Sequence, residues 1–137
     1  IGTPTEGLTT QMPQVELRLP AEGAYVSVLR TTTAALAARL DFTLEDIEDL
    51  RMAVSEAAAI CLECAAEAAD LDVVFDLGED TIGVTVTTTC DAEAEIDEES
   101  FAWQVLTTLA REVTATPDGD QLRISLVAGA TPLGAAR

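Results

Sequence analysis

Val15, Leu17 and Leu19 alternate with Glu16 and Arg18 until Pro20 stops the run, the two-residue period of a half-buried strand. Over residues 21–40 the apolar positions Tyr25, Val28, Leu29, Leu36 and Leu40 recur at helical spacing, with Arg30 and Arg39 off that stripe, which predicts an amphipathic helix. The start of a second helix is well marked. Thr43 can cap, Asp46 three residues on completes a capping box, and Phe42 can staple against Ile47. Ile47, Leu50, Val54, Ala57, Cys61 and Ala65 lie along one face, and no glycine or proline intervenes before Gly78, so this helix is expected to run to about residue 69.

Leu71, Val73, Phe75 and Leu77 then alternate with Asp72 and Asp76, Gly78-Glu79-Asp80 turns the chain, and Ile82, Val84 and Val86 alternate with Gly83, Thr85 and Thr87. This reads as a β hairpin. After an acidic loop at 91–97, residues 100–113 place Phe101, Val105 and Leu109 on one stripe with Ala102, Leu106 and Ala110 beside it, a third helix. Pro117-Asp118-Gly119-Asp120 separates residues 113–116 from Leu122, Ile124 and Leu126, a second hairpin. The order β-α-α-β-β-α-β-β implies an α+β two-layer sandwich, with one mixed, largely antiparallel sheet covered by helices on one face. Residues 14–127 are expected to form a single domain between a flexible N-terminal segment, 1–13, and a flexible tail, 128–137.

Composition narrows the chemistry. All seven basic residues among the 137 are arginines, and there is no lysine or histidine, which removes Ser-His-Asp and Cys-His catalysis and leaves a zinc site only Cys and carboxylate ligands. The formal charge of −18 repels nucleic-acid phosphates, speaks against direct DNA binding and favours a basic protein partner; the same charge serves equally to keep an alanine-rich chain in solution. No apolar run approaches the roughly 20 residues of a membrane span, and residues 1–13 have no secretory pattern. Three irregularly spaced cysteines do not form a disulfide framework, so a reducing cytoplasm is expected.

The stretch Ser55-Glu56-Ala57-Ala58-Ala59-Ile60-Cys61-Leu62-Glu63-Cys64-Ala65 sets a glutamate and a CxxC pair on one helix. Cys61 and Cys64 at i and i+3 are adjacent, but a disulfide inside a regular helix is strained, so they are poor mutual partners. Packing in the core is the expectation for them; a metal or redox site joining Cys61, Cys64, Cys90 and a carboxylate such as Glu63 is the alternative. Trp103, the sole tryptophan, is assigned to the core.

The element order, together with "YVSVLRTTTAALAARLDFTLEDIEDLRMAVSEA" over residues 25–57, resembles the anti-sigma-factor serine kinases of the GHKL ATPase superfamily, the RsbW or SpoIIAB type. "SFAWQVLTTLAREV" over 100–113 resembles the third helix of the UsfX-like branch. The resemblance implies the Bergerat-type, HATPase-like fold. In that family a glutamate acts as general base and an asparagine four residues later holds the magnesium of ATP, because one helical turn stacks them on one face. Here Glu56 stands at the first place and Ile60, which cannot ligate a hard cation, at the second. The adenine-reading Asp and its glycines are replaced by Thr87-Thr88-Thr89-Cys90-Asp91, and no glycine lies between Gly83 and Gly119 to form a phosphate lid. Glu56 is therefore vestigial, a polar helix residue or an arginine's partner, and no nucleotide or other cofactor is expected.

The resemblance implies an anti-sigma factor that holds an alternative sigma factor, of stress or sporulation type, away from RNA polymerase. It also implies a homodimer and release by an anti-anti-sigma (STAS-domain) antagonist. Arg30 matches the family's sigma-contacting arginine, although a solvated arginine would read the same way in sequence. Glu45, Asp46 and Asp49, with Glu48, can face a basic sigma-factor surface or simply favour the helix start through the macrodipole. With ATP absent, control falls to antagonist level, redox state or another kinase. Two other functions remain open: an active serine kinase rebuilt around Glu56, and a degenerate sensor domain taking a metal or small ligand near the cysteines.

Overall fold

The computed structural model describes residues 13–130. Strand β1 (Gln14–Pro20) leads through a 3-10 turn (Gly23–Tyr25) to helices α1 (Val26–Ala38) and α2 (Leu44–Cys64). The hairpin β2 (Asp70–Leu77) and β3 (Thr81–Thr89), helix α3 (Phe101–Leu109) and the hairpin β4 (Glu112–Asp118) and β5 (Gln121–Gly129) complete the chain. The sheet order is β1-β2-β3-β5-β4. Every neighbouring pair is antiparallel, so the sheet is antiparallel throughout the described residues rather than mixed.

Strand alternation decides which face the helices cover. Leu71, Val73 and Phe75 of β2, Ile82, Val84 and Val86 of β3, and Leu122, Ile124 and Leu126 of β5 are all buried beneath α1, α2 and α3. The opposite face is polar: Arg18 Nε meets Asp72 Oδ1 at 2.7 Å across β1 and β2, and Thr85 Oγ1 lies 3.1 Å from Ser125 Oγ across β3 and β5. The turn between β4 and β5 is the two-residue loop Gly119-Asp120, and Gly119 takes φ 64°, the left-handed conformation such turns demand at that position.

α1 buries Leu29, Thr33 and Ala37, while Tyr25 and Val28 are exposed. The inward stripe is therefore rotated from the one that apolar periodicity suggests. Thr33 can sit inside because its hydroxyl donates to Leu29 O at 2.7 Å. In α2 both halves of the capping box form: Asp46 N donates to Thr43 Oγ1 at 3.0 Å and Thr43 N to Asp46 Oδ2 at 3.3 Å. Leu50, Val54, Ala57 and Cys61 are buried along its inner face, as the pattern predicts.

α2 ends five residues short of the expected 69, because the sheet claims the backbone that follows. Ala65 turns extended and bridges Cys90, Ala66 N donates to Thr89 O at 2.8 Å, and Asp91 N donates to Cys64 O at 3.0 Å. No glycine or proline signals this stop; Ala68, at φ 66°, takes the left-handed position instead. α3 is likewise shorter than 100–113, since Arg111 N already pairs with Val127 O as β4 begins. Its buried residue is Leu106, and Phe101 faces out. β5 reaches Gly129, and Ala130 N donates to Asp80 O, so the sheet extends past residue 127. The expected terminal segments otherwise lie outside the described residues, and among those described no helix is long and apolar enough to cross a membrane.

Candidate functional site

Two regions of the helical layer carry the chemistry. The first is a cleft of about 280 Å³ between the C-terminal half of α2 and the loop that leads into α3, lined by Ile60, Glu63, Cys64, Glu93, Glu95, Ile96, Asp97 and Ser100. Glu56 and Ile60 stand one turn apart on the adjoining stretch of α2, both half-buried. Among the described residues no arginine pairs with Glu56; the ion pairs are Arg18 with Asp72 and Arg51 with Glu48. The apolar floor of Ile60 and Ile96 is surrounded by four carboxylates from two segments, Glu63 on the helix and Glu93, Glu95 and Asp97 on the loop. Such a rim repels polyphosphate, and within the described residues no three Cys, Asp or Glu side chains come together as metal ligands.

Part of this loop's backbone is hydrogen-bonded within the protein. Cys90 N donates to Asp120 O, Asp91 N to Cys64 O, Ala94 N to Gly119 O, Glu99 N to the Asp97 side chain and Ser100 N to Asp97 O. A phosphate cradle needs several amides unspent and pointing outward, and these five are not available for one. At the start of α3 the Ser100 hydroxyl accepts from Trp103 N at 3.1 Å, a further donor taken.

The cysteines pack in or against the core as expected, but two of them are bonded, which departs from the expectation of a chain without disulfides on which the reducing cytoplasm rests. Cys64 and Cys90 form a disulfide, with Cα atoms 4.8 Å apart and a sequence separation of 26. The physical reason is the Ala65–Cys90 bridge, which lays the end of α2 beside the end of β3. Spacing along the helix correctly discounts Cys61 with Cys64, but it gives no view of a pairing created by sheet register. Cys61 remains a free, buried thiol, and burial pushes its pKa up to about 12, which makes it an unreactive core residue. Trp103 is half-buried against the core.

The second region is the surface of α1 and the first half of α2. Arg30 is half-buried, with Nη1 3.5 Å from Ser55 Oγ, and Ser55 Oγ in turn donates to Arg51 O at 2.8 Å. Arg51 extends Nη1 to Glu48 Oε2 at 2.8 Å, and its Nε is buried without a hydrogen-bond partner. Arg30 thus reaches α2 through one long hydrogen bond.

The acidic candidates do not join it. Asp46 and Asp49 line a separate cleft of about 290 Å³ with Thr108, Leu109, Ala110, Arg111 and Gly129, on the side of α2 that meets α3. The Arg111 guanidinium lies over Gly129 so closely that a Cβ there would strike it. Burial, then the charges of Glu45, Asp46 and Glu48, holds the Asp49 carboxyl above its ordinary range. Glu45 is exposed. Arg30 meets α2 at Ser55, whereas Asp46 and Asp49 line the side of α2 that meets α3.

Against known proteins, no family profile matches the chain. It is 33% identical over 118 residues to the anti-sigma-F factor RsbW of Mycobacterium tuberculosis, spanning 86% of this chain and 70% of that protein. It is also 35% identical over 82 residues to the serine-protein kinase RsbW of Bacillus velezensis, 58% of this chain and 51% of that one. In fold it is similar to the crystal structure of the RsbU and RsbW domains of a Mycobacterium tuberculosis protein, with TM-score 0.68 and 16% identity, covering 86% of this chain and 32% of that chain. A blue-light activated histidine kinase domain from Erythrobacter litoralis matches with TM-score 0.56 and 16% identity, over 81% of this chain and 61% of that one.

Proposed function

This chain belongs to the RsbW family of anti-sigma factors, and from that premise we propose that it binds an alternative sigma factor in the cytoplasm and keeps it from RNA polymerase without using ATP. The observation that supports the second half of the reading is the cleft beside Ile60, the position where the family has its metal-holding asparagine, which is lined by four carboxylates. Arg30 is the sigma-contacting residue in this account, and it reaches Ser55 of α2. Glu45, Asp46 and Asp49 offer negative charge to a basic part of the same sigma factor. A STAS-domain antagonist frees the sigma factor by competing for an overlapping surface, and the working unit is a homodimer.

A second reading, a serine kinase that phosphorylates its STAS antagonist, draws on Glu56 at the position of the general base and on the Bacillus relatives named as kinases. The two are separated by incubating the chain with its STAS antagonist and Mg-ATP and following phosphate on the antagonist. The proposal requires no transfer above the level of a Glu56→Ala control. Transfer that depends on Glu56 would establish the kinase reading in its place.

A further inference from the structure

On the outer side of the helical layer, away from the sheet, α2 and α3 leave a groove of about 290 Å³ between them, lined by Met52, Phe101, Gln104, Val105, Thr108 and Leu109. Phe101 is 78% exposed and Met52 51%, large apolar side chains that folding leaves in water. Isolated exposed hydrophobics need no explanation, but two that flank one groove from different helices form a patch of the kind partners cover.

The charge around the groove is of one sign. The helical neighbours of Met52 one turn before and after are Glu48, Asp49 and Glu56, and Phe101 is preceded by Asp97, Glu98 and Glu99. Glu48 has Arg51 beside it at 2.8 Å; for the others the negative field has no such local partner in the ion pairs among the described residues. Asp49 feels that field as a carboxyl disfavoured in its charged form, by burial first and by its acidic neighbours next.

We propose that this groove is a docking site for a cationic amphipathic helix of a partner protein, whose apolar side chains cover Met52 and Phe101 while its arginines or lysines meet the acids on both rims. The groove follows α3, whose nine residues extend about 13 Å, enough for apolar anchors at i, i+4 and i+7 of the incoming helix. A second copy of this chain does not suit it, because the chain's net charge is −18 and a symmetric contact would set these acids against themselves. Arg30 does not line the groove, so docking here does not require the Arg30 contact, although Asp49 at its rim is also among the acids offered to the sigma factor.

The test selects a displayed library of helical peptides against the whole protein at low salt, then measures the recovered peptides on variants. The expected peptides carry apolar residues on one stripe flanked by Arg or Lys. Their affinity falls by about tenfold or more on Met52→Ser/Phe101→Ser, stays within about twofold on Arg30→Ala, and weakens as salt rises. Both substituted side chains of the groove variant are exposed, and Glu56→Lys provides a second variant that keeps the groove apolar and opposes cationic peptides. Recovered peptides that are neutral or acidic, that bind the groove variants as tightly as wild type, or that are displaced by concentration-dependent self-association through Phe101 would overturn the proposal.

Discussion

Cys64, the last residue of α2, is covalently joined to Cys90, one residue beyond β3, so the helix that carries Glu56 and Ile60 is tied to the central strand of the sheet at the floor of the acidic cleft. The link closes a loop that contains the whole β2–β3 hairpin.

A crosslink over this sequence separation lowers the entropy of the unfolded chain, and for loops of this size the loss on removal is about 3 kcal/mol. Cys64→Ser/Cys90→Ser is expected to lower the urea midpoint accordingly while the m-value rises, since the uncrosslinked unfolded chain exposes more surface. An oxidised protein and a double-serine variant with the same midpoint would show that the bond contributes nothing to stability.

Cys61 gives a pH signature. Its thiol is held neutral in the folded state up to about pH 12 by burial, whereas in the unfolded chain it ionises near its ordinary value of 9.0. The folded form therefore binds one more proton than the unfolded form between these values. Stability falls as pH rises across that window, by up to about 1.4 kcal/mol per pH unit. Below pH 8 the residue has no such effect. Comparing unfolding of wild type and Cys61→Ala between pH 8 and 10.5 tests this: the wild type alone should carry the extra slope, and the thiol should resist alkylation at pH 8 until urea is added.

Asp46 and Asp49, three residues apart, are expected to respond in opposite directions. Asp46 accepts from Thr43 N in the capping box, so Asp46→Ala destabilises by about 1 kcal/mol. Asp49 has its carboxyl pKa raised by burial and by Glu45, Asp46 and Glu48, so its charged form is disfavoured in the folded state. Stability from this group is gained as pH falls through the raised value and lost above it, and Asp49→Asn should raise the melting temperature at pH 7. Thermal melts of both variants at pH 7 and pH 4 check the signs; Asp49→Asn melting below wild type at pH 7 would refute this electrostatic account.

Restoring the family's metal-holding residue should not restore nucleotide binding. Ile60→Asn supplies the amide oxygen, but Glu63, Glu93, Glu95 and Asp97 still line the cleft and repel polyphosphate. A thermal-shift series with Mg-ATP is expected to show no stabilisation for wild type or for Ile60→Asn. A shift of several degrees in wild type would mean the cleft accepts nucleotide despite its charge.

The fold was legible where one physical signal decided the outcome. Strand alternation named the buried residues of β2, β3 and β5, and Thr43 with Asp46 fixed the start of α2. The end of α2 was not legible, because it is set by the pairing of Ala65 with Cys90, a contact between residues far apart in the chain. The same contact creates the disulfide, which helix spacing alone could not reveal. In the cleft, Ile60 and the lack of glycine stood in the sequence, whereas the convergence of Glu63 with Glu93 and Glu95 required the fold. The outward turn of Phe101 was missed because Phe101, Val105 and Leu109 do form a stripe; the structure buries Leu106 beside it, and acids around Met52 were the available hint.

Sequestration of a sigma factor without ATP has a direct readout. It is tested most directly by capturing the tagged protein from its native cells, in nucleotide-free buffer and in Mg-ATP, with Arg30→Ala as a parallel bait and mass spectrometry of the bound proteins. One alternative sigma factor is expected, recovered equally in both buffers and strongly diminished with Arg30→Ala. Recovery of neither a sigma factor nor a STAS-domain protein, or of a sigma factor only when Mg-ATP is present, would contradict it.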